Sequence, residues 1–162
     1  GYGTAIFYGD FVKLVAAGTV EKAAVTTAVV AGTVGIFVGC SYTDPSTNQL
    51  TFNQQFPAST AASDIMAYVV DDPKLVFKMQ GDEAIAKTGL GNNVSAVNTA
   101  GSTTIGRSRN ALDGGSIATT NTLPLRILEF VDGPDSTVGD AFTDCLVTYL
   151  PLSHAYETKL GV

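Results

Sequence analysis

The stretch at residues 10–39 constrains the fold more than any other part of the chain. Its sequence is DFVKLVAAGTVEKAAVTTAVVAGTVGIFVG. Residues 11–15 are rich in strand-forming side chains, and Ala17-Gly18 supplies turn residues directly after them. Residues 19–23 then mix polar and apolar positions, as in a strand with one solvated face. The stretch therefore predicts a β-hairpin.

The end of this stretch, residues 33–39, predicts a further strand. It is a dense apolar run in which Gly35 and Gly39 omit a side chain. A strand tolerates glycine where it bends sharply or where another backbone comes close. We interpret this segment as the closing strand of a small barrel or sandwich.

The rest of the chain continues the β pattern. A weak signal for one or two helical turns lies at residues 81–87. Residues 91–122, rich in Gly, Ser, Thr and Asn, predict short strands between long exposed loops. Further strand character is found at residues 50–53, 65–70, 74–80, 123–131 and 143–150. We predict a mainly β protein, with a single small barrel or sandwich domain over residues 10–162, long loops and at most one short helix.

Residues 1–9, GYGTAIFYG, form a glycine-spaced aromatic arm without a charged side chain. In a free tail, Tyr2, Phe7 and Tyr8 would expose their aromatic rings to solvent. Chain ends are usually disordered unless they dock on other parts of a protein. The arm therefore predicts either a first strand of the domain or a segment that lies on a neighbouring subunit. In the second case these three aromatic residues belong to a protein interface.

The composition implies a surface that is short of charge. Charged residues make up 15% of the chain, against about 25% in typical soluble domains, and hydrophobic residues make up 45%. Loss of charge is a compositional signal of protein interfaces. We therefore expect much of the exterior to meet other protein.

Charge and hydropathy exclude two classes of partner. The net charge is −6 and the 9 Lys and Arg residues are scattered, whereas phosphate contacts need clustered cations. The longest apolar segment, residues 28–40, is interrupted by glycines and is shorter than the about 18–20 residues of a spanning helix. We predict neither nucleic acid nor a membrane as a partner.

The sequence offers no constellation of catalytic or metal-binding residues, and we predict a protein that is not an enzyme and uses no cofactor or metal. The single histidine, His154, lacks a nucleophile elbow or a metal-ligand spacing and is expected to be exposed or at an interface. Asp71-Asp72 and the aspartates of residues 132–140 are interpreted as turn residues. A weak calcium site in the second group is the alternative.

Two cysteines, Cys40 and Cys145, do not make a disulfide framework. Both lie in predicted strands, which favours buried free thiols. This use of cysteine fits synthesis and folding in a reducing cytoplasm.

Arg107 and Arg109 point in the same direction if their segment is extended. One interpretation is a solvated loop. The other is a fork that grips carboxylates of a neighbouring protein, because arginine is favoured at interfaces. On the second interpretation they are interface residues, as Tyr2, Phe7 and Tyr8 are for the arm.

Five segments follow one another in an informative order: YGDFVKLVAAGTVEKA, GIFVGCSYTD, AYVVDDPKLVFKMQ, STTIGRSRNALDGGSIATTNTLPLRILEF and PDSTVGDAFTDCLVTY. Over most of residues 8–150 this pattern of strands and turns resembles a group of small virion proteins of tailed phages, especially marine and cyanobacterial ones. The resemblance implies a decoration or cement protein that binds the outer surface of the capsid and stabilises it. It also implies two partners, the major capsid protein and further copies of the chain in a homotrimer, and it brings no active-site residues.

Three alternatives stay open at this point. The chain could serve as another virion component, such as a tail-tube, head-fibre or spike-base protein. It could be a carbohydrate-binding β domain in which exposed Tyr42, Tyr68 or Tyr149 stack on sugars, although the chain has no Trp. A hydrolase fits least well, because polar groups do not converge in the sequence.

Overall fold

The structure, a computed structural model, describes residues 2–26 and 32–157. It is mainly β, as predicted, with two larger sheets and two short ribbons. Gly1 of the predicted arm, part of the stretch at 10–39 and the chain end at 158–162 lie outside the described residues. The strands are β1 (Ile6–Phe7), β2 (Phe11–Leu14), β3 (Val20–Lys22), β4 (Thr33–Thr43), β5 (Leu50–Asn53), β6 (Gln55–Phe56), β7 (Met66–Val70), β8 (Val76–Gln80), β9 (Asn93–Val94), β10 (Ala96–Val97), β11 (Ala111–Leu112), β12 (Leu125–Phe130) and β13 (Asp144–Tyr149).

The five-stranded sheet is organised around the long strand β4. The predicted hairpin is confirmed as the antiparallel pair β2–β3, and β2 also pairs with the first half of β4. β5 pairs with the second half of β4 on the same edge, and β7 pairs with its opposite edge. β4 therefore carries neighbours along almost its whole length.

The glycines of β4 mark close backbone approaches, the second of the two alternatives offered by the sequence. A Cβ at Gly35 would collide with the backbone carbonyl of Val70 in β7, and a Cβ at Gly39 would lie 3.1 Å from the carbonyl oxygen of Asn53 in β5. Both glycines also have positive φ angles, 155° and 149°. Only a residue without a side chain fits either position at low energy.

The four-stranded sheet has the order β8-β13-β12-β9 and is antiparallel throughout. A bulge interrupts the pairing of β12 with β13 between Ile127 and Glu129. The two ribbons, β1–β6 and β10–β11, are also antiparallel. The described strands do not close into a barrel, so the sandwich is the better description of the predicted alternatives.

The described residues form two hydrophobic clusters in the interior. The first joins the two larger sheets, where the ring of Phe11 from β2 meets Phe77 from β8 and Tyr149 from β13 at centroid distances of 5.9 and 6.0 Å. The second lies on the other face of the five-stranded sheet and includes Ile6, Val12, Val34, Phe37, Cys40, Tyr42 and Phe56. The five-stranded sheet is thus covered on both faces near its centre.

In the part of the chain that the structure describes, helical structure is limited to three short 3₁₀ turns, at Lys87–Gly89, Gly114–Ser116 and Pro151–Ser153. The predicted helical turns at residues 81–87 do not form. That segment instead wraps the buried side chain of Ile85, whose backbone N–H donates to Thr143 Oγ1 at 3.1 Å. Across residues 2–26 and 32–157, no helix is long and apolar enough to cross a membrane.

A buried carboxylate ties the N-terminal segment to the rest of the domain. Asp10 is fully buried, and its Oδ2 accepts the backbone N–H of Phe7 at 2.9 Å and pairs with Lys22 Nζ at 3.1 Å. Its Oδ1 accepts Ser108 Oγ at 2.6 Å and Asn110 Nδ2 at 3.3 Å. One side chain therefore connects the start of the chain, the hairpin and the loop that precedes β11.

Candidate interaction surface

The outer half of the five-stranded sheet exposes large apolar side chains to solvent. β5 and β7 alternate between exposed and half-buried residues, and side chains two positions apart on a strand share a face. We call this set the apolar face. Its members and their exposed fractions are Leu50 (64%), Phe52 (70%), Met66 (62%), Tyr68 (43%) and Val70 (37%).

The register of the sheet shows that these side chains are neighbours. Ser41 of β4 pairs with Phe52 on one side and Met66 on the other, so the three side chains form a row across the sheet. In the next row Tyr68 pairs with Gly39, which has no side chain to cover it. The Tyr68 hydroxyl is hydrogen-bonded to Ser41 Oγ at 2.9 Å, which holds the ring over this gap.

The chain segment that carries the apolar face contains acidic residues and no basic ones. Residues 23–73 include four aspartates and no Lys, Arg or His. Asp64 precedes β7 and accepts the hydroxyl of Thr43 at 2.6 Å and its backbone N–H at 3.1 Å, and these hydrogen bonds lower the pKa of the Asp64 carboxyl. Asp71 and Asp72 follow β7 and are exposed. The apolar face therefore has carboxylates at both ends of β7.

Among the aspartates considered as cation ligands in the sequence, Asp72 and Asp140 make turn bonds, whereas Asp71 makes a long-range bond instead of the turn bond expected for it. Asp72 Oδ1 accepts the backbone N–H of Lys74 at 2.8 Å, and Asp71 Oδ2 accepts the hydroxyl of Tyr156 at 3.0 Å. Asp140 Oδ2 accepts the backbone N–H of Thr137 at 2.8 Å. Asp72 and Asp140 thus cap turns, as interpreted from the sequence.

A different acidic group, which the sequence did not single out, comes together from two loops. The carboxylate oxygens of Asp82, Glu83 and Asp113 lie within 4.8 Å of one another. Asp82 Oδ1 already accepts the backbone N–H of Gly114 at 3.1 Å, and Asp113 Oδ2 accepts Ser95 Oγ at 3.4 Å. The bond between Asp82 and Gly114 connects the two loops.

Three of the five predicted interface residues lie close together. Tyr8 pairs with Arg107 in a parallel bridge, in which Ser108 N–H donates to the Tyr8 carbonyl at 2.9 Å. Ser108 turns its side chain inward to Asp10, so Arg107 and Arg109, one position to either side, point outward and are exposed. Tyr8 is exposed as well. We call Tyr8, Arg107 and Arg109 the arginine patch.

The other two predicted interface residues are used inside the domain. Phe7 is buried, because β1 pairs with β6 and the Phe7 ring packs against Gly101. The hydroxyl of Tyr2 accepts the backbone N–H of Lys22 at 3.3 Å. The segment therefore forms a first strand of its own domain, the first of the two alternatives for the arm, and Phe7 is not available to a neighbour in this conformation.

A cleft of about 540 Å³ opens beside β7. Its apolar lining includes Ile6, Phe37 and Phe56 of the second hydrophobic cluster. The hairpin residues 18–21 line it on one side and residues 65–67 on the other, with Tyr2 nearby. The cleft therefore lies between the edges of β3 and β7.

His154 does not occupy the exposed or interface position expected from the sequence. It is fully buried, with its ring 5.4 Å from Tyr149 and 5.2 Å from Tyr156 between centroids. A parallel bridge to Thr33 fixes its backbone beside β4. Burial lowers the pKa of the imidazole, which favours the neutral form. The expectation failed because the partner strand is distant in sequence.

Both cysteines are buried free thiols, as predicted, and they belong to different clusters. Cys40 lies in the second hydrophobic cluster and Cys145 in the first. Burial raises the pKa of each thiol to about 11. Neither is an activated nucleophile, because reactivity requires the thiolate.

The tyrosines that would bind carbohydrate do not form a platform. Of the three candidates, Tyr42 and Tyr149 are buried in separate clusters and Tyr68 is exposed. Burial also raises the pKa of Tyr149 well above its usual range. Tyr68 therefore lacks the two partners on which this alternative was based.

The apolar face itself was only half visible in the sequence. The alternation of Leu50 and Phe52 correctly indicated that they share a sheet face. Alternation does not tell which face is covered, because that depends on how the two sheets pack.

Comparison of the chain with protein-family models, curated proteins and solved structures found no match.

Proposed function

We propose that this protein is a non-enzymatic structural component of a phage particle, which decorates the outer surface of the capsid and stabilises it. The observation that carries the proposal is the apolar face, with Phe52 and Met66 largely exposed on strands β5 and β7, which contain no basic residue. Such a surface suits attachment to other protein. The resemblance of the strand-and-turn pattern to phage decoration proteins supplies the virion context.

The size of the apolar face suits a contact that is weak at each site and strong in sum. Its five side chains expose roughly 500 Å² of surface, about the size of a functional patch on a monomer. One such patch lies at the low end of stable interfaces. Repeated over a symmetric shell, and within a proposed homotrimer, many weak contacts add through effective concentration.

The arginine patch supports the same proposal as a second contact. Arg107 and Arg109 are exposed and lie outside the two ion pairs of the described residues, Lys22–Asp10 and Lys78–Asp144. Arginine beside an exposed tyrosine is a composition favoured at binding hot spots. We assign this patch to the contact with a neighbouring copy or with the major capsid protein.

Stabilisation follows from linkage rather than from chemistry. A protein that binds only the assembled shell raises the free energy of shell opening by the binding energy lost on opening. The acidic net charge of −6 suits an outward position, away from packaged nucleic acid. No catalytic step is needed for this role.

The alternative role is a minor component of the same particle, such as a tail or head-fibre protein, and copy number distinguishes the two. Quantitative peptide mass spectrometry of purified particles measures the ratio of this chain to the most abundant shell protein. We expect a ratio of roughly one third to one for a decoration protein. A ratio of a few per cent would assign the chain to the tail or a fibre, and its absence from particles would remove the virion role.

A further inference from the structure

β7 has one edge without a neighbour among the described residues. It pairs with β4 alone, and no other described strand runs along its second edge. In an antiparallel pair, alternate residues direct their backbone N–H and C=O groups to the partner and away from it. The orientation of β7 can therefore be read from its partner residues in β4.

Phe37 fixes that orientation. Its backbone N–H donates to the carbonyl of Asp10 at 2.9 Å, and its carbonyl accepts the N–H of Gly9 at 2.8 Å, so both groups point away from β7. Val69, the partner of Phe37 in β7, therefore makes no ladder bond to it. Val69, and by alternation Ala67, present their backbone groups on the free edge.

The cleft beside this edge of β7 can accommodate an extended segment. The cleft of about 540 Å³ borders β7 at residues 65–67, and Phe37 and Phe56 give it an apolar lining. Across the cleft, the N–H of Lys22 in β3 is covered by the Tyr2 hydroxyl. No equivalent cap covers Ala67 or Val69 among the described residues. A strand added along β7 could direct alternate side chains into the cleft and onto the apolar face.

The aspartates at the two ends of β7 indicate which charges a bound segment would carry. Asp64 lies just before the strand, and Asp71 and Asp72 lie just after it. None of the three belongs to an ion pair within the described residues. A segment with a cation at each end meets a carboxylate at both ends, in either strand direction.

We propose that the free edge of β7 binds an extended segment of a partner protein by strand addition. The segment has alternating apolar residues and a Lys or Arg at each end. A second copy of this chain fits less well, because an antiparallel β7–β7 pair would place Asp64 opposite Asp72. That the partner is a shell protein rests on the proposed function, whereas the binding chemistry follows from β7 and its surroundings.

Synthetic peptides test the proposal on the intact chain. One peptide alternates Val and Thr over the length of β7 between terminal lysines, and a second has glutamates in place of the lysines. We expect the lysine peptide to shift the amide NMR signals of Ala67 and Val69 most strongly. The glutamate peptide should bind about tenfold more weakly in calorimetry. Equal binding of both peptides, or no binding of the lysine peptide, would overturn the proposal.

Backbone methylation of the peptide separates strand addition from simple apolar contact. Methyl groups on every second peptide nitrogen block one edge of the peptide and leave the other free. We expect one of the two methylated sets to abolish binding and the other to preserve it. Equal effects of the two sets would contradict edge pairing. This control leaves the protein unchanged, so loss of binding cannot result from misfolding.

A variant of the protein tests the same edge. Ala67→Pro removes an outward N–H without removing a bond to β4, as proline on an edge strand permits. We expect the variant to keep its circular dichroism spectrum and lose the lysine peptide. A dimer in sedimentation equilibrium that Ala67→Pro disrupts would instead assign the edge to a second copy and overturn the proposal. These peptide assays test only the binding edge of β7. The virion role is tested separately, by the copy number of the chain in particles.

Discussion

Asp10 and Lys22 form a buried ion pair at 3.1 Å, with side-chain exposures of 0% and 13%. Three further donors satisfy the Asp10 carboxylate, from Phe7, Ser108 and Asn110. A buried charge is tolerated only when such partners compensate its lost hydration. This carboxylate therefore holds the first strand, the hairpin and the arginine-patch loop in register.

Asp10→Ala should destabilise the protein strongly. The substitution leaves Lys22 and three hydrogen-bond donors without their acceptor, and we expect a loss of about 3–5 kcal/mol in the free energy of unfolding. Ser108→Ala removes one of these donors and should cost about 1.5–3 kcal/mol. Urea unfolding followed by circular dichroism measures both. If Asp10→Ala were no more destabilising than Ser108→Ala, the carboxylate would not have this central role.

Gly35→Ala should disrupt the pairing of β4 with β7. The new methyl group would meet the carbonyl of Val70 at a positive φ angle, and we expect a loss of about 2–5 kcal/mol. Gly133→Ala is the control, because a Cβ there meets nothing within 4 Å. Thermal unfolding compares the two. Similar melting temperatures would show that β7 does not lie against Gly35.

The buried His154 should make stability depend on pH. Its pKa is lowered in the folded state by burial, although Glu157, Asp71 and Asp72 act in the opposite sense. Above a pH of about 6.5 the imidazole is neutral in both states, and its contribution to stability is complete. As the pH decreases below about 6.5, the unfolded chain binds the proton first. Stability therefore decreases with decreasing pH until the pH is below the pKa of the folded state.

The His154→Phe variant isolates this effect, because it keeps a ring between Tyr149 and Tyr156 but does not titrate. The urea midpoint of the wild-type chain should be lower at pH 5.5 than at pH 7. The midpoint of the variant should differ less between the two pH values. Carboxylates titrate in both proteins, so the difference between the two slopes reports on His154. An equal change of the urea midpoint with pH in both proteins would indicate that His154 is exposed to solvent in the folded protein.

Both thiols should resist modification in the folded protein. Burial raises the pKa of Cys40 and of Cys145 to about 11, so little thiolate is present at neutral pH. We expect labelling by iodoacetamide at pH 7.5 to be far slower than in urea. Rapid labelling of the native chain would indicate that one of the clusters opens readily.

Local sequence chemistry predicted local structure well. The hairpin, the turn at Asp72 and the close approaches at Gly35 and Gly39, which were one of two alternatives, each depend on residues within one or two neighbouring strands. Contacts between distant segments could not be predicted in this way. Ser108 reaches Asp10 across 98 positions, and His154 is buried because it lies beside Thr33.

The same limit explains the candidate sites. Tyr8 and Arg107 were singled out separately, by their residue types, but their adjacency depends on a bridge between distant segments. The carbohydrate-binding alternative required exposed tyrosines such as Tyr42 and Tyr149, whereas sheet packing turns these two inward. The aspartates at the two ends of β7 could not be assigned to the apolar face from the sequence, because their place beside it depends on the sheet register.

Attachment through the apolar face is tested most directly by saturation binding to purified shells that lack this protein. Phe52→Ser and Phe142→Ser form a matched pair, because the two rings are 70% and 58% exposed but only Phe52 lies on the apolar face. We expect Phe142→Ser to saturate the shells as the wild-type chain does, and Phe52→Ser to bind at least about tenfold more weakly. Equal binding by the two variants would contradict attachment through the apolar face.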